Sequence, residues 1–392
     1  MKQEPVLILG GGIGGLAAAL ALAKIDVPTV VIEQAKEFHE IGAGIQVGPN
    51  GYRALKTLGL EGEAMRLGVF PDELVFMDSM TGTRITTIPT GDAFRQRFDF
   101  PYTLIHRADL HTTLLNAAEK NDLIELVTSA RIDNIIEGPA VTLVTSDGRS
   151  FRGPALVGAD GLWSQTRQLT VGDGPPIVSG HIAYRAVLPT NSVPEEYRQN
   201  AMILWGGAKH HLVQYPLRGG ELFNLVAVFH SDKYVEGWDT TGDAAELHRR
   251  FADACETVQA LLSNIDAWRM WVLCDREPVK NWSKHNITLV GDAAHPMLQY
   301  LAQGACMAME DAVVLSRAVA QGRDDLPAAF QHYQRLRYLR TGRCQVMARV
   351  HGEFYHAEGV KAEMRNIMLS ARTSEQSYAG LDWLYQASAF PS

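Results

Sequence analysis

The first 33 residues combine two short apolar runs with a longer apolar segment between them. Residues 5–9 (PVLIL) and 28–33 (PTVVIE) have the length of strands, and residues 10–25 have the length of a turn and a helix. Short apolar runs of this kind are consistent with strands buried on both faces. Two such strands that flank a helix form a βαβ unit with parallel strands. The pattern therefore predicts that the chain begins with an α/β domain.

The middle of the chain alternates apolar and polar residues with a period of two. This alternation predicts strands in four segments between about 176 and 275, namely HIAYRAVLP, AMILWGG, HHLVQYP and ELFNLVAVFH. Residues 74–99 have a similar β-like pattern with turn signals, and a helix is expected near 243–262. We therefore expect a β-rich unit that is inserted into the α/β domain.

The remaining segments complete the α/β domain and add a helical C-terminal region. Helical patterns cover 51–68, 108–120 and 306–320, and Asp147–Gly148 predicts a hairpin turn. The strand-to-helix pattern returns at NITLVGDAAHP. The expected domains are 1–75, 100–175 and 276–326 for a discontinuous α/β domain, 76–99 and 176–275 for a β-sheet-rich domain, and 327–392 for a helical C-terminal region.

The segment HHLVQYPLRGGE, residues 210–221, has the pattern of a strand followed by a turn. Side chains two residues apart on a strand point to the same face. His211, Val213 and Tyr215 would therefore share one face, and His210 would lie on the other. A register shift of one residue would exchange the two histidines. The pattern alone leaves open whether His211 and Tyr215 pack in a core or face a substrate.

Composition narrows the possible partners. The chain has 392 residues, 46% of them hydrophobic and 20% charged, with a net charge of -8. The length suggests two or three domains, and the acidic balance argues against nucleic acid or an anionic membrane as a partner. The sequence has no uninterrupted run of 18 apolar residues and no secretory signal pattern, so we expect no membrane span and a cytoplasmic location. The four cysteines are far apart, so we expect no metal site.

A glycine-rich turn follows the first predicted strand. Gly10, Gly12 and Gly15 fit the pattern GxGxxG, which permits a tight turn, close approach of a pyrophosphate and packing of the helix on the strand. The N-terminus of the following helix offers N–H groups and a favourable dipole to phosphate. Glu33 ends the second strand, where an acidic residue binds a ribose hydroxyl. The segment predicts a dinucleotide site and leaves NAD and FAD open.

Two later strands end in turns that contain aspartate. Asp160–Gly161 follows one short apolar strand, and Gly291–Asp292 follows another. Each of these turns, taken alone, is most often a structural cap. A helix then begins near Gly304 and Ala305, and its N–H groups would stabilise negative charge on a bound cofactor.

The three motifs together resemble those of the single-component FAD-dependent aromatic hydroxylases. They are GGGIGG, GADG and VGDAAHP, and they occur in the family's order across nearly the whole chain. The resemblance implies that the discontinuous α/β domain is a Rossmann-like FAD-binding domain and that the β-sheet-rich domain binds the substrate. It also implies FAD and NADH as cofactors. An amine oxidase or a simple flavin dehydrogenase would share only the first motif.

The resemblance assigns cofactor contacts to particular residues. Glu33 would bind the adenosine ribose, and Arg107 and Asp292 would hold the pyrophosphate and the ribityl chain. Gln46 would line the flavin cleft, and Asp160 would belong to the motif that serves both FAD and the nicotinamide cofactor. The expected FAD-binding residues are Gly10, Gly12, Ile13, Gly14, Gly15, Glu33, Gln46, Arg107, Asp160, Asp292, Gly304 and Ala305.

The activity that the resemblance implies is hydroxylation of a phenolic acid with O2. The segments HHLVQYPLRGGELFNLVAVF, DREPVKNW, GDAAHPMLQYLAQGA and DWLY are similar to those of family members that act on 3-hydroxybenzoate. Such members hydroxylate para to the phenol, through a flavin C4a-hydroperoxide, and form 2,5-dihydroxybenzoate (gentisate). Salicylate and hydroxynicotinate hydroxylases share the scaffold and stay open as alternatives.

The chemistry of phenols suggests roles for three residues. A phenol has a pKa of about 10 and is protonated at neutral pH, whereas phenolate is the better nucleophile, so a histidine base is useful. We expect His211 to be this base, Tyr215 to bind the substrate or position the base, and Gln299 to orient the phenol or the carboxylate. Arg185 and Arg218 are candidates for binding the carboxylate. The helical C-terminal region suggests a homodimer.

Overall fold

The computed structural model describes residues 4–38, 42–231, 238–263, 265 and 268–389. Its strands are β1 (Val6–Leu9), β2 (Thr29–Ile32), β3 (Gly44–Val47), β4 (Glu73–Asp78), β5 (Arg84–Pro89), β6 (Thr103–His106), β7 (Ile124–Val127), β8 (Ile132–Ile136), β9 (Val141–Thr145), β10 (Ser150–Gly153), β11 (Leu156–Gly158), β12 (Ile177–Pro189), β13 (Ala201–Gly207), β14 (His210–Leu217), β15 (Leu222–His230), β16 (Trp238–Thr241), β17 (Arg269–Asp275) and β18 (Ile287–Leu289). Its α-helices are α1 (Ile13–Ala23), α2 (Pro49–Leu58), α3 (Glu61–Leu67), α4 (Asp92–Phe98), α5 (Arg107–Glu119), α6 (Gln165–Thr170), α7 (Ala244–Arg250), α8 (Glu256–Ser263), α9 (Gly304–Gln321), α10 (Leu326–Tyr355), α11 (Val360–Ser370) and α12 (Ser374–Tyr385).

A parallel sheet in the order β18-β11-β1-β2-β7 forms the centre of the α/β domain. Every residue of β1 and β2 is buried, because helices or a second sheet cover both faces. Helix α1 is rich in alanine and almost completely buried, and it packs against α9 and α5. The βαβ unit expected at the N-terminus is confirmed, and it places the glycine-rich turn at the carboxyl end of β1.

The β-rich domain is built on an eight-stranded sheet in the order β16-β17-β12-β15-β14-β13-β4-β5. Neighbouring strands are antiparallel except β13 and β4, which are parallel. One face of the sheet packs on α7 and α8. Strand β4 begins at Glu73, so the expected domain boundary between residues 75 and 76 falls inside this strand. The α/β fold with a discontinuous Rossmann-like domain and a β-rich domain is confirmed.

Two local predictions need correction. The single helix expected near 243–262 is divided into α7 and α8, because Phe251 and Ala254 turn into the core between them. The N–H of Cys255 there donates to the carbonyl oxygen of Ser79 at 2.7 Å. Within the segment 74–99, expected to be β-like, residues 92–98 form α4. Phe94 and Phe98 lie four residues apart and are both buried, as one face of a helix requires.

The C-terminal region is helical, as expected. Helix α10 has 30 residues and packs against α9 and against the turn Gln299–Leu301. Helix α12 returns to contact α4 and β5. Among the described residues, no helix is long and apolar enough to cross a membrane.

Candidate active site and cofactor cleft

The glycine-rich turn packs tightly against the loop that follows β11. Gly10 has a φ of +110°, and a Cβ on this residue would lie 2.3 Å from the carbonyl oxygen of Ala159. A Cβ on Gly15 would lie 1.9 Å from the carbonyl oxygen of Gly10. Side chains are therefore excluded at both positions. Helix α1 begins at Ile13 with Gly12 as its N-cap residue, so its first N–H groups lie at this turn.

The carboxylate of Glu33 lies beside the same turn. Its Oε2 accepts a hydrogen bond from the N–H of Gly11 at 2.8 Å, and its Oε1 accepts one from the N–H of Ala35 at 2.8 Å. An acidic group at the end of β2 and next to the start of α1 has the position expected for a ribose ligand. Each carboxylate oxygen has more than one acceptor site, so Glu33 keeps capacity for a ribose hydroxyl.

Asp160 holds its own loop in shape. Its Oδ1 accepts from the hydroxyl of Ser164 at 2.6 Å, and its Oδ2 accepts from the N–H and the hydroxyl of Thr166 at 3.0 and 3.1 Å. The loop packs behind Gly10, so these bonds stabilise the wall of the turn. A direct contact of Asp160 with either cofactor stays a prediction.

The second aspartate turn and the start of α9 face one cleft. Asp292 is accessible to solvent, but protein atoms surround it on most sides. This partial removal from water raises the pKa of its carboxyl, although the nearby His295 and Arg107 act to lower it. A Cβ on Gly304 would lie 3.7 Å from Oδ1 of Asp292. Within the described structure, the N-cap residue Gln303 makes no capping bond with its side chain. The N–H groups at the start of α9 therefore face the cleft together with Asp292.

A buried ion network supports this turn from below. Oδ2 of Asp311 accepts from the N–H of Gly291 at 2.9 Å and lies 2.5 Å from Nε2 of His295. Arg337 donates to Asp311 at 2.7 Å and to Glu310 at 2.6 Å. Burial raises the pKa values of Glu310 and Asp311, but the neighbouring cations outweigh this and lower both. The floor of the cleft is therefore held by charges that are fully buried.

These features fit FAD. The cleft combines a turn too crowded for side chains, an acidic group at the end of β2 and the N-termini of two long helices. The residues along it are half-exposed although their neighbours are buried: Gly10, Gly12, Gly14, Glu33, Gln46, Arg107, Asp160, Gly304 and Ala305. The turn and Glu33 would hold the adenosine diphosphate half, and Asp292, Gln46 and the start of α9 would hold the flavin half. Ile13 is buried and supports the turn from inside.

One face of the eight-stranded sheet carries the predicted catalytic residues. Val213 pairs with Val226, and Val226 pairs with Arg185. Directly paired residues point to the same face, and so do residues two apart on one strand. His211, Val213, Tyr215 and Arg185 therefore share one face, which confirms that His211 and Tyr215 point the same way.

His210 lies on the opposite face of the sheet. Its Nε2 is 2.9 Å from Oγ of Ser79, and its ring packs on Phe251 with a centroid distance of 4.3 Å. By contrast, Tyr215 lies against the FAD-binding domain, since a Cβ on Gly44 would be 2.6 Å from its hydroxyl. The positions of His210 and Tyr215 on opposite faces of the sheet both follow from this alternation.

The FAD-binding domain contributes polar groups to the space in front of that face. The hydroxyl of Tyr102 donates a hydrogen bond to Oε1 of Gln46 in β3. Burial raises the pKa of Tyr215, and the nearby Arg185 and Gln46 lower it only in part. Tyr215 is therefore a neutral hydrogen-bonding group at neutral pH, close to the residue expected to line the flavin cleft.

Gln299 borders the same space from the side of the Asp292 turn. Its Oε1 accepts a hydrogen bond from Nη2 of Arg185. The guanidinium lies 5.2 Å from the ring centroid of Trp271, and its Nε is buried without a hydrogen-bond partner among the described residues. Burial lowers the pKa of Arg185 to about 10, so it is charged at neutral pH. Arg218 instead pairs with Asp109 at 2.7 Å.

His211 belongs to a cluster of four histidines. Its Nδ1 lies 2.7 Å from Nε2 of His356, and Nδ1 of His356 lies 3.0 Å from Nε2 of His230. His181 packs on His230 with ring centroids 4.2 Å apart, and its Nδ1 lies 2.5 Å from the hydroxyl of Tyr300. One nitrogen from each of His181, His230 and His356 lies within 4.8 Å of the others. The sequence, from which no metal site is expected, does not predict this spacing.

Acidification should destabilise the protein through its buried histidines. Burial lowers the pKa of His211 to about 3 and those of His181 and His210 to about 4. Below the unfolded value of about 6.5, the unfolded chain binds protons that the folded chain does not, so stability is lost as the pH falls from 6.5 towards 4. Each such histidine should lower the free energy of unfolding by about 2 kcal/mol between pH 7 and pH 5.

The urea midpoint at pH 5 and pH 7 measures this effect. His181→Gln should reduce the difference between the two midpoints, whereas the exposed His285→Gln should leave it as in the wild type. Equal midpoints at the two pH values in the wild-type protein would contradict the expectation.

The residues that sequence reasoning missed come from strand pairing and from the end of α10. His181 and His230 are directly opposite each other on β12 and β15. Gly206 lies opposite His211 on β13, and a Cβ there would be 2.9 Å from the carbonyl oxygen of Tyr355. Only a glycine therefore lets the end of α10 approach the sheet and bring His356 to His211. Gly206, the first glycine in AMILWGG, is the one sequence signal of this contact.

Comparison with known proteins supports the resemblance to the FAD-dependent aromatic hydroxylases. The family model described as "FAD binding domain" matches residues 3–325. The 3-hydroxybenzoate 6-hydroxylase of Polaromonas naphthalenivorans (strain CJ2) is 46% identical over 383 residues, which cover 97% of this chain and 95% of that protein. The 3-hydroxybenzoate 6-hydroxylase 1 of Aquipseudomonas alcaligenes is 44% identical over 384 residues, or 97% of each protein.

A solved structure agrees over nearly the whole length. The crystal structure of Klebsiella pneumoniae HpxO complexed with FAD and uric acid matches with a TM-score of 0.85 and 26% identity, and the match covers 96% of this chain and 95% of that chain. The three ordered motifs, the cleft that fits FAD and the near-complete coverage of these relatives agree. The chain belongs to the FAD-binding-domain family, among its FAD-dependent aromatic hydroxylases.

Proposed function

We propose that this protein is a monooxygenase that hydroxylates 3-hydroxybenzoate para to its phenol and forms 2,5-dihydroxybenzoate, with NADH as reductant and O2 as oxidant. The observation that carries the proposal is the single sheet face that His211, Tyr215 and Arg185 share, on which Arg185 donates a hydrogen bond to Gln299. The names of the relatives that match almost the whole chain support this choice of substrate.

The protein's own residues would bind and activate the phenol. When bound, FAD supplies the redox chemistry, which is acceptance of a hydride and activation of O2. His211 would accept the phenolic proton at a ring nitrogen, which is free as an acceptor because burial lowers its pKa to about 3 and keeps the imidazole neutral. Tyr215 would donate a hydrogen bond to the substrate, and the apolar residues Val213 and Val226 beside it would exclude water.

Arg185 is our candidate for binding the substrate carboxylate. Its guanidinium is charged, and a buried Nε without a partner among the described residues leaves a donor for an anion. A guanidinium matches a carboxylate in two parallel hydrogen bonds. Gln299 accepts from Arg185 and would hold it in place. Arg218 is a weaker candidate, because Asp109 already binds it through two hydrogen bonds.

Product analysis tests the proposed function. FAD-loaded protein is incubated in air with NADH and, in separate reactions, 3-hydroxybenzoate, salicylate or 6-hydroxynicotinate. We expect 2,5-dihydroxybenzoate from 3-hydroxybenzoate, identified by chromatography and mass spectrometry, at a higher rate than any product from the other two acids. Formation of 3,4-dihydroxybenzoate would contradict para attack, and faster conversion of salicylate to catechol would favour the alternative substrate. A parallel series with NADPH tests the choice of reductant.

We also propose a homodimer and a cytoplasmic location. Helices α10 and α11 have exposed apolar side chains that suit a contact between subunits: Leu339, Val346, Val350, Val360, Met364, Ile367 and Met368. The four cysteines are free thiols, which suits a reducing compartment.

A further inference from the structure

We propose that His356 and His230 relay the proton of the substrate phenol from His211 to solvent. The inference rests on the proposed function, because it takes His211 as the base. His356 and His230 would act through His211, so they are positioning residues and not catalytic residues.

The three imidazoles form one continuous line of hydrogen bonds. The distances are 2.7 Å from Nδ1 of His211 to Nε2 of His356, and 3.0 Å from Nδ1 of His356 to Nε2 of His230. Both are ordinary hydrogen-bond lengths. The residues come from β14, from the residue after α10 and from β15. His211 is 2% exposed, whereas His230 is half-exposed, so the line leads from the interior to the surface.

One set of tautomers satisfies the whole line. A neutral imidazole has one donor and one acceptor nitrogen. When His211 donates from Nδ1 to His356, and His356 donates from Nδ1 to His230, Nε2 of His211 is an acceptor at the inner end. Nδ1–H of His230 is then a donor at the outer end. The line can therefore accept a proton from a phenol and release a different proton to water.

A relay removes an energetic difficulty of His211 as an isolated base. Burial and the nearby His210 and His181 lower the pKa of His211 to about 3. Burial and the neighbouring histidines also lower the pKa of His356. A proton left on His211 would be strongly disfavoured against a phenol with a pKa of about 10. Release of the proton to solvent avoids a buried imidazolium.

The outer end of the line is suited to exchange with water. Burial is the largest effect on His230 and lowers its pKa. The charged groups around it act in opposite directions: Glu353, Lys209, Arg250 and Glu358. His181 and Tyr300 bond to each other beside the line and leave the two bonds of His356 in place.

The proton count closes over one turnover. On activation, the phenol O–H bond breaks and its proton binds Nε2 of His211. The Nδ1–H protons of His211 and His356 move one nitrogen outward, and His230 releases its Nδ1–H proton to water. The substrate, whose carboxylate is already ionised, gains a second negative charge on its phenolate oxygen. After hydroxylation, the same oxygen of the product takes up a proton by the reverse shifts, which restores the starting tautomers.

The test observes substrate binding alone, with FAD-loaded enzyme and no NADH. 3-Hydroxybenzoate is mixed rapidly with enzyme in dilute buffer with a pH indicator, and phenolate absorbance is followed in parallel. His356→Gln and His230→Gln keep hydrogen-bonding side chains but cannot pass a proton. We expect both to slow proton release by about ten-fold or more, with little change in the Kd of the substrate.

Chemical rescue and a matched control separate a relay from a structural role. Added imidazole should restore the rate in His230→Ala, where the missing ring is at the surface, and should not restore it in His356→Gln. His351→Gln is on α10 but outside the line, with Nδ1 bonded to the carbonyl oxygen of Met347 at 2.8 Å, and should release protons at the wild-type rate.

Several results would overturn the relay. One is that protons are released at equal rates by the wild type and both glutamine variants. Another is that the wild-type enzyme binds 3-hydroxybenzoate without releasing a proton. A metal ion bound by His181, His230 and His356 in the purified enzyme would also overturn the relay, because Nδ1 of His356 has no proton to donate when it coordinates a metal. Failure of the proposed function is a separate result, seen as no 2,5-dihydroxybenzoate in the product assay, whereas failure of the relay leaves that product in place.

Discussion

Arg337→Met is expected to lower the free energy of unfolding by about 3–5 kcal/mol. Arg337 is fully buried and binds Glu310 at 2.6 Å and Asp311 at 2.7 Å, and both carboxylates are fully buried as well. Methionine fills much of the same volume but has no charge. Two buried carboxylates would therefore be left with one cation fewer, and desolvation would raise their pKa values. Urea denaturation at pH 7, followed by circular dichroism, measures the loss.

The matched control is Arg66→Met at the surface. Arg66 lies 2.5 Å from Glu63, but the side chains are 66% and 45% exposed. Exposed ion pairs contribute little to stability because water and salt screen them, so this variant should unfold almost like the wild type. A loss below about 1 kcal/mol in Arg337→Met would show that the buried network does not depend on this cation. Arg337→Met should also release FAD more readily, because Arg337 holds Asp311, and Asp311 accepts a hydrogen bond from the N–H of Gly291 beside Asp292.

The parts of the fold that depend on short-range pattern could be predicted from the sequence. The apolar runs of β1 and β2 and the glycines between them specify the βαβ unit, because a side chain at Gly10 or Gly15 would overlap backbone. The shared face of His211 and Tyr215 follows from a period of two along one strand. Such features are determined by residues that are close together in the sequence.

The parts that depend on contacts between distant segments could not be predicted. Arg185 and Gln299 are 114 residues apart in the chain, and His211 and His356 are 145 residues apart. No periodicity connects such positions, so the sequence does not indicate that the C-terminal region contributes His356 to this cluster. The division between α7 and α8 has the same origin, since Phe251 ends the helix by packing on the ring of His210. Tertiary packing here overrides the local helical pattern.

His211→Gln is expected to keep FAD and substrate-stimulated NADH oxidation but to lose hydroxylation by about 10²–10⁴-fold. Glutamine fits the buried site and can hydrogen-bond His356, but it cannot accept the phenolic proton. The phenol would stay protonated and react poorly, so the reducing equivalents would appear as hydrogen peroxide. The ratio of 2,5-dihydroxybenzoate to NADH consumed measures this uncoupling.

His210→Gln is the matched control, because His210 is adjacent in sequence but lies on the other face of the sheet, bonded to Ser79 at 2.9 Å. It should keep the wild-type ratio of product to NADH. Raising the pH towards about 10 should partly restore hydroxylation in His211→Gln, because phenol then ionises without a base. A merely structural role of His211 predicts no such recovery. Full coupling of His211→Gln at pH 7 would remove His211 from the mechanism and leave the phenol to be activated by the charge of Arg185.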